Sequence, residues 1–308
     1  MFVAPGGALW ATSHGVILRS TDDGVHWSQS FPPAPTAALD FLNTTEGYAI
    51  GSEGVLRTTD GGASWLSLPG MPGVAVSALR FTNTTDGWAL GQTSSASGGR
   101  SVVLRTTDGG QTWSVVYNGP QGTDDVAAMA FFGPEQGIQV VEAPECAPCG
   151  LASAVWETRN GGQQWTQGPA LPSGGFQSAS IVSAQQIFGV TLGGFGAPDA
   201  LYASTTGGTT WRALGTLPTQ LGLAQVAFVS PTTGWVCGTV TPAGTPSASP
   251  EGVLLRTTDG GSHWNAVTLP DVRSINSIFF INSGIGWLTS QTGLWRTTDG
   301  GDTWVEIA

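Results

Sequence analysis

The sequence predicts an all-β fold, a seven-bladed β-propeller of four-stranded antiparallel blades forming one domain over residues 1–308. Three observations predict it. The pattern Ser/Thr-x-Asp-x-Gly-x-x-Trp, with two degenerate copies, recurs seven times. Its copies stand about 46 residues apart on average, a period of propellers, solenoids and arrays. No segment carries the 3.6-residue apolar periodicity of an amphipathic helix.

The copies read STDDGVHW at 20–27, TTDGGASW at 58–65, TTDGGQTW at 106–113, TRNGGQQW at 158–165, STTGGTTW at 204–211, TTDGGSHW at 257–264 and TTDGGDTW at 297–304. Their closing tryptophans are Trp27, Trp65, Trp113, Trp165, Trp211, Trp264 and Trp304, separated by 38, 48, 52, 46, 53 and 40 residues. Each period divides into short β-like segments, here labelled A to D. In the third, Val76–Phe81 alternates as strand A and Asn83–Gly87 turns the chain. Trp88–Gly91 reads as strand B and Val102–Thr106 as strand C. Asp108-Gly109-Gly110 is a tight turn with glycines where φ > 0 is needed, and Thr112–Tyr117 is strand D. Radial closure lets each blade bury both faces and leaves only short outer edges. The first repeat starts late. Phe2-Val3-Ala4-Pro5 aligns with Phe228-Val229-Ser230-Pro231, the end of a strand A. The first blade is therefore expected to lack most of its inner strand, with the natural chain beginning upstream.

Composition excludes several classes of function. Hydrophobic residues make up 40% of the chain and tryptophan alone contributes 13, enough apolar surface for a core. Charged residues are 10%, against about 25% in an average domain. The net charge is −11, all ten cations are arginine and lysine is absent. Nucleic-acid binding needs clustered cations to replace phosphate counterions, and this chain has too few. An anionic membrane surface is disfavoured on the same ground, and no apolar run is long enough to span a bilayer as a helix. The N-terminal Met1–Gly7 has neither a basic region nor a long apolar stretch, so it is no signal peptide. The absence of lysine, the acidic balance and the abundance of Ser, Thr and Trp fit an extracytoplasmic protein whose export signal lies outside this chain.

The turn motif has a local physical purpose. The carboxylates of Asp22, Asp60, Asp108, Asp259 and Asp299 can accept hydrogen bonds from their own turns, with Asn160 and Thr206 as weaker substitutes. The tryptophan covers the hairpin and keeps an N–H to bond. The motif resembles the Asp-box, or bacterial neuraminidase repeat, which in the families that carry it lies at the blade periphery away from any active site. A longer pattern is more specific: Phe41…Gly47-Tyr48-Ala-Ile-Gly51, Phe81…Gly87-Trp88-Ala-Leu-Gly91, Phe228…Gly234-Trp235-Val-Cys-Gly238 and Phe280…Gly286-Trp287. It resembles the Ycf48-like propeller family, whose plant relative is the photosystem II stability/assembly factor. The resemblance covers essentially the whole chain. It implies the propeller fold and a role in binding or assembling other proteins.

Strand alternation sorts the loops. The A–B and C–D turns share one end of each blade; the B–C loops and D-to-next-A links share the other. The first end is short and uniform, whereas the second varies in length and composition, and binding commonly resides in such loops. Its acids are Glu53, Asp124, Asp125, Glu142, Glu145, Asp199, Glu251 and Asp271, against Arg100 and Arg273. Candidate partner-binding residues are Arg100, Asp124, Asp125, Glu142, Glu145, Phe195, Asp199, Glu251 and Arg273. Exposed Phe176 and Phe195 would favour stacking on a sugar.

The catalytic alternatives are weaker, and no catalytic residue is assigned. A glycosidase needs two carboxylates across a cleft, and no local signature pairs any two here. Asp-box sialidases also need an arginine cluster and a tyrosine nucleophile, whereas Tyr48 and Tyr202 look like blade core. Asp-box xyloglucanases use two propellers facing a cleft, and this chain supplies one. Arg19, Arg57, Arg105, Arg256 and Arg296 all precede the turn motif, a repeated position that points to stacking or pairing between blades. Photosystem assembly members carry an arginine patch for their client, but Arg80, Arg100, Arg212 and Arg273 are scattered. Cys146-Ala-Pro-Cys149 lacks a second ligand pair for zinc and reads as a small loop disulfide or two idle thiols. Cys237 falls in a B strand and is expected to be buried and inert. No metal or cofactor is expected. The reading is a non-catalytic scaffold for an unidentified protein partner. The alternatives are a carbohydrate-binding or carbohydrate-cleaving propeller and a structural module of a larger surface protein.

Overall fold

A computed structural model describes residues 2–3, 8–13, 16–22, 24–30, 39–51, 54–69, 71, 73–93, 99–119, 125–142, 154–170, 176–191, 200–214, 221–240, 251–269, 272, 274–290 and 293–307. These form 28 strands and no helix. The strands fall in chain order into seven four-stranded antiparallel sheets, the blades of a seven-bladed β-propeller. Blade one is β1 (Phe2–Val3), β2 (Leu9–Ser13), β3 (Val16–Ser20) and β4 (Ser28–Ser30). Blade two is β5 (Leu39–Phe41), β6 (Gly47–Gly51), β7 (Gly54–Thr58) and β8 (Leu66–Ser67). Blade three is β9 (Val74–Phe81), β10 (Gly87–Thr93), β11 (Arg100–Thr106) and β12 (Ser114–Asn118). Blade four is β13 (Asp125–Phe131), β14 (Gly137–Glu142), β15 (Ala154–Thr158) and β16 (Thr166–Ala170). Blade five is β17 (Phe176–Ile181), β18 (Ile187–Thr191), β19 (Ala200–Ser204) and β20 (Arg212–Ala213). Blade six is β21 (Leu221–Phe228), β22 (Gly234–Val240), β23 (Glu251–Thr257) and β24 (Asn265–Val267). Blade seven is β25 (Ile275–Phe280), β26 (Gly286–Ser290), β27 (Leu294–Thr297) and β28 (Val305–Glu306).

The chain gathers into two compact units. One takes in Met1–Val126, Ala130–Ile138 and Glu157–Thr166; the other takes in Ala127–Met129, Gln139–Trp156 and Gln167–Ala308. The same aromatic arrangement organises the interior of each. In the first unit the B-strand ring of one blade stacks on the A-strand phenylalanine of the next: Trp10 on Phe41 at 3.8 Å between centroids, Tyr48 on Phe81 at 3.5 Å, and Trp88 on Phe131 at 3.7 Å. In the second, Phe188 stacks on Phe228 at 3.4 Å and Trp235 on Phe280 at 3.5 Å. The phenylalanine then meets, edge to face, the tryptophan that closes its own blade, as in Phe81–Trp113 and Phe280–Trp304. Each such pair is worth about 0.5–1.5 kcal/mol beyond the area it buries.

This ladder explains the Phe…Gly-aromatic pattern. The ring of Phe41, Phe81, Phe131, Phe228 or Phe280 lies across the first residue of strand B in its own blade. A Cβ at Gly47, Gly87, Gly137, Gly234 or Gly286 would strike that ring. Blade five solves the same problem differently. Ile181 and Ile187 occupy the two positions, paired in register, and Phe176 crosses Gly189 instead.

A-strand N–H groups that face the neighbouring blade find side-chain acceptors there. Phe81 donates to Asp40, Val226 to Ser178 at 3.2 Å, Phe228 to Ser180 at 2.9 Å, and Ile278 to Gln225 at 2.9 Å. Otherwise these donors would remain unpaired along a buried sheet edge.

Candidate functional site

Each turn motif is closed by its own side chains. In blade two, Thr58 Oγ1 donates to Asp60 Oδ1 at 2.8 Å and accepts from Gly62 N at 2.8 Å. Asp60 in turn accepts from Ser64 N at 2.8 Å and Ser64 Oγ at 2.6 Å. The Ser64 hydroxyl, its N–H and Thr58 together pull the Asp60 pKa down to about 2. Asp108 and Asp299 also lie at about 2, where the hydroxyls of Thr112 and Thr303 contribute most. Asp22 reaches about 2 mainly through the His26 N–H and then the His26 ring. The equivalent N–H of His263 holds Asp259 well below the usual range. The degenerate turns still close. Asn160 Oδ1 accepts from Gln164 N at 2.9 Å, and Thr206 Oγ1 accepts from Thr210 N at 2.8 Å.

The seven closing tryptophans are half-buried, but their N–H groups do not all find partners. Trp65 Nε1 donates to Ser30 Oγ at 3.1 Å and Trp113 Nε1 to Gly110 O at 3.2 Å. Trp27, Trp165, Trp211, Trp264 and Trp304 have buried Nε1 atoms without an acceptor among the described residues. The neighbouring chain segment supplies the acceptor of Trp65, whereas Trp113, with apolar Leu68 facing Gly110, turns to the carbonyl of its own turn. Ser30 faces Gly62, whereas Val116, Val155, Leu214 and Val267 face Gly162, Gly208, Gly261 and Gly301.

The repeated arginines stack within their own blade rather than between blades, while Arg256 also pairs with Asp302 of the next blade at 3.5 Å. Arg19 lies over Trp10 at 5.7 Å, Arg57 over Tyr48 at 5.9 Å, Arg105 over Trp88 at 5.5 Å and Arg256 over Trp235 at 5.9 Å. Arg57 also pairs with Glu46 at 3.4 Å and Arg105 with Asp86 at 3.3 Å. Burial works against ionisation of Asp86, yet hydrogen bonds from Asn83, Thr85 and Arg105 leave its pKa lowered. Arg80 is bound to Asp40 at 3.0 Å; burial raises the Asp40 pKa against the pull of that arginine.

The loop-end candidates divide into two groups. Arg100, Asp125, Glu142 and Glu251 are strand termini rather than loop residues, because the ladders run further than alternation alone indicates. Thr93 pairs with Arg100 and Val240 with Glu251, and both charged residues are exposed. Asp124, Glu145, Phe195, Asp199 and Arg273 lie outside the described residues, as do Glu53, Asp271, Cys146 and Cys149. Phe176 is not exposed. It is fully buried and meets Trp211 edge to face at 4.9 Å, because it replaces the usual A-strand phenylalanine in the interblade packing. Cys237 is 1% exposed, and burial pushes its thiol up to about 12. No three metal-ligating side chains cluster among the described residues, and no described helix is long and apolar enough to cross a membrane.

No family model matches the chain. A stretch of 107 residues is 31% identical to the photosystem II assembly lipoprotein Ycf48 of Synechococcus sp. (strain CC9902), covering 33% of this chain and 28% of that protein. The match thus spans less than a third of the curated relative's length. Among solved structures, Ycf48 bound to a D1 peptide is similar with a TM-score of 0.63 at 19% identity, over 89% of this chain and 82% of that one. An ancestral GH74 enzyme gives 0.58 at 12% identity, over 97% of this chain and 52% of that one. The GH74 xyloglucanase of Xanthomonas campestris gives 0.51 at 15% identity, over 97% and 65%. At these identities the structural likenesses show the fold alone. Together with the sequence match, they show a β-propeller that is similar to Ycf48 over a third of its sequence.

Proposed function

We propose that the chain is a non-catalytic scaffold that binds a protein partner during assembly of a larger complex, outside the cytoplasm. The observation that carries this reading is the likeness, in sequence and in fold, to Ycf48, a photosystem II assembly lipoprotein whose solved structure holds a D1 peptide. The chemistry of the repeat supports it. The turn carboxylates are engaged by their own turns, and the described arginines that precede four of them lie over neighbouring rings. Recognition then falls to the B–C and D–A end, with Arg100, Asp124, Asp125, Glu142, Glu145, Phe195, Asp199, Glu251 and Arg273 as its contact residues. A cationic partner segment suits this acidic set.

The GH74 likeness keeps a carbohydrate reading in play, but burial of Phe176 removes one of its two proposed sugar platforms. Two assays on the purified chain separate the readings. Stoichiometric binding of a protein from the native source, with no turnover of xyloglucan or sialosides, supports the scaffold. Turnover of either glycan replaces it with an enzyme.

A further inference from the structure

Four blades fill the groove beside the next blade's turn with an arginine of their own. Arg19 packs against Gly61, Arg57 against Gly109, Arg105 against Gly161 and Arg256 against Gly300. Arg256 donates there to the carbonyls of Asp299 at 3.4 Å and Ser283 at 3.5 Å. In three of the four grooves the glycine carbonyl also accepts an indole N–H: Trp10 to Gly61 at 3.2 Å, Trp88 to Gly161 at 3.0 Å and Trp235 to Gly300 at 2.9 Å.

Blade five departs from this at every position. Ala203 stands where the arginine belongs, paired in register with Phe188 as Arg256 is with Trp235. Phe188 has no N–H to donate. Gln186 replaces the acid that Glu46 and Asp86 provide in blades two and three. The outcome is a cavity of about 370 Å³ between blades five and six, lined by Gln186, Ala203, Trp211, Arg212, Pro231 and Gly260, among others. Its size is that of a small-molecule site. A Cβ added at Gly260 would meet the Pro231 carbonyl at 3.1 Å, with no guanidinium of the described residues within 4 Å.

We propose that this cavity receives the guanidinium of an arginine side chain projecting from a partner protein. The arriving group would take the place that the chain's own arginines hold in the sister grooves. Its acceptors are the carbonyls of Pro231 and Gly260 and the amide oxygen of Gln186, and the ring of Trp211 supplies a face for the planar cation. The unpartnered Trp211 N–H is shared with Trp27, Trp165, Trp264 and Trp304 and does not set this blade apart. Arg212, which also lines the cavity, is exposed and long enough to turn into solvent, and the chain's charge of −11 favours a cationic visitor. The cavity lies at the A–B and C–D end of its blades, so it stands apart from the loop-end contacts proposed above.

The test titrates the full chain with the blocked tripeptide Ac-Gly-Arg-Gly-NH2 and its citrulline and glutamate counterparts, read by NMR at the Trp211 indole N–H. The arginine peptide is expected to shift that resonance saturably, and the other two are not. Ala203→Arg fills the cavity from within; it should abolish the shift and raise the melting temperature. Arg212→Ala should bind at least as well as the parent chain. The proposal is overturned if the arginine peptide gives no shift, if the shift persists in A203R, or if the glutamate peptide binds and R212A abolishes that binding. Should A203R fail to fold, Gln186→Leu carries the test: weaker arginine-peptide binding supports the site, and unchanged binding overturns it. None of these results depends on whether the loop end binds a partner.

Discussion

Asp60 accepts three hydrogen bonds within eight residues of chain, from Thr58 Oγ1, Ser64 N and Ser64 Oγ. Asp60→Ala leaves those donors to water and should cost about 1 kcal/mol, read as a lower urea midpoint. Asp60→Asn should cost less, since Asn160 closes its own turn through an amide oxygen. The pH dependence follows from the depressed pKa values. Asp22, Asp60, Asp108 and Asp299 titrate at about 2 in the folded chain, below the ordinary value of about 3.9. Their stabilisation is therefore complete above about pH 4 and lost as pH falls towards 2. A variant carrying Asn at these four positions should show a shallower loss of melting temperature over that window. Cys237 should react with thiol reagents only as fast as the chain opens, and rapid labelling of the native protein would contradict its burial. At this scale the acid and hydroxyl positions of the turn were legible in the sequence, because they bond within one short segment. The fate of the tryptophan N–H was not. Trp65 reaches Ser30 of the preceding blade, while Trp113, facing apolar Leu68, reaches its own Gly110 carbonyl, and no local pattern encodes the difference.

A blade's contribution lies in how its A-strand phenylalanine crosses its own strand B to reach a ring on the preceding blade. Phe228 passes over Gly234 to stack on Phe188, so Gly234→Val must displace it. The cost should be about 1–3 kcal/mol by overpacking, measured by denaturant unfolding, with the near-ultraviolet signal of the aromatic core altered. Trp235→Phe keeps the stack on Phe280 but removes the donor to Gly300, and should cost about 1 kcal/mol. The alternation of Val76–Phe81 and the Asp108-Gly109-Gly110 turn made the strands readable in sequence. Their ends were not: β10 and β11 continue to the Thr93–Arg100 pair, past the residues whose alternation marks them. Phe176 was misplaced for a related reason. Blade five carries Ile181 and Ile187 where Phe and Gly stand in blades two, three, four, six and seven, and only packing shows that Phe176 takes over the buried role.

At the scale of the whole molecule, repetition made the fold legible and hid the function. Seven copies of one turn fix seven blades, but the loop-end residues proposed for recognition lie in segments that do not repeat, and these carry no internal comparison. The arginine missing at Ala203 was visible in the sequence as a gap in a series; that the gap leaves a cavity required the structure. Charge reversal at Glu142, Glu145 and Asp199 together should slow partner association at low salt and lose its effect at high salt, with the melting temperature unchanged. The central claim is that this propeller binds a protein through its B–C and D–A end and turns over no substrate. Hydrogen exchange on the chain alone and in complex with its protein partner, captured from the native source, tests this most directly. Protection is expected around Thr93–Arg100, Glu142 and Val240–Glu251, with the turn motifs outside blades five and six unchanged. Protection confined to the turn motifs, with the loop end exchanging as freely as in the unbound chain, would contradict it.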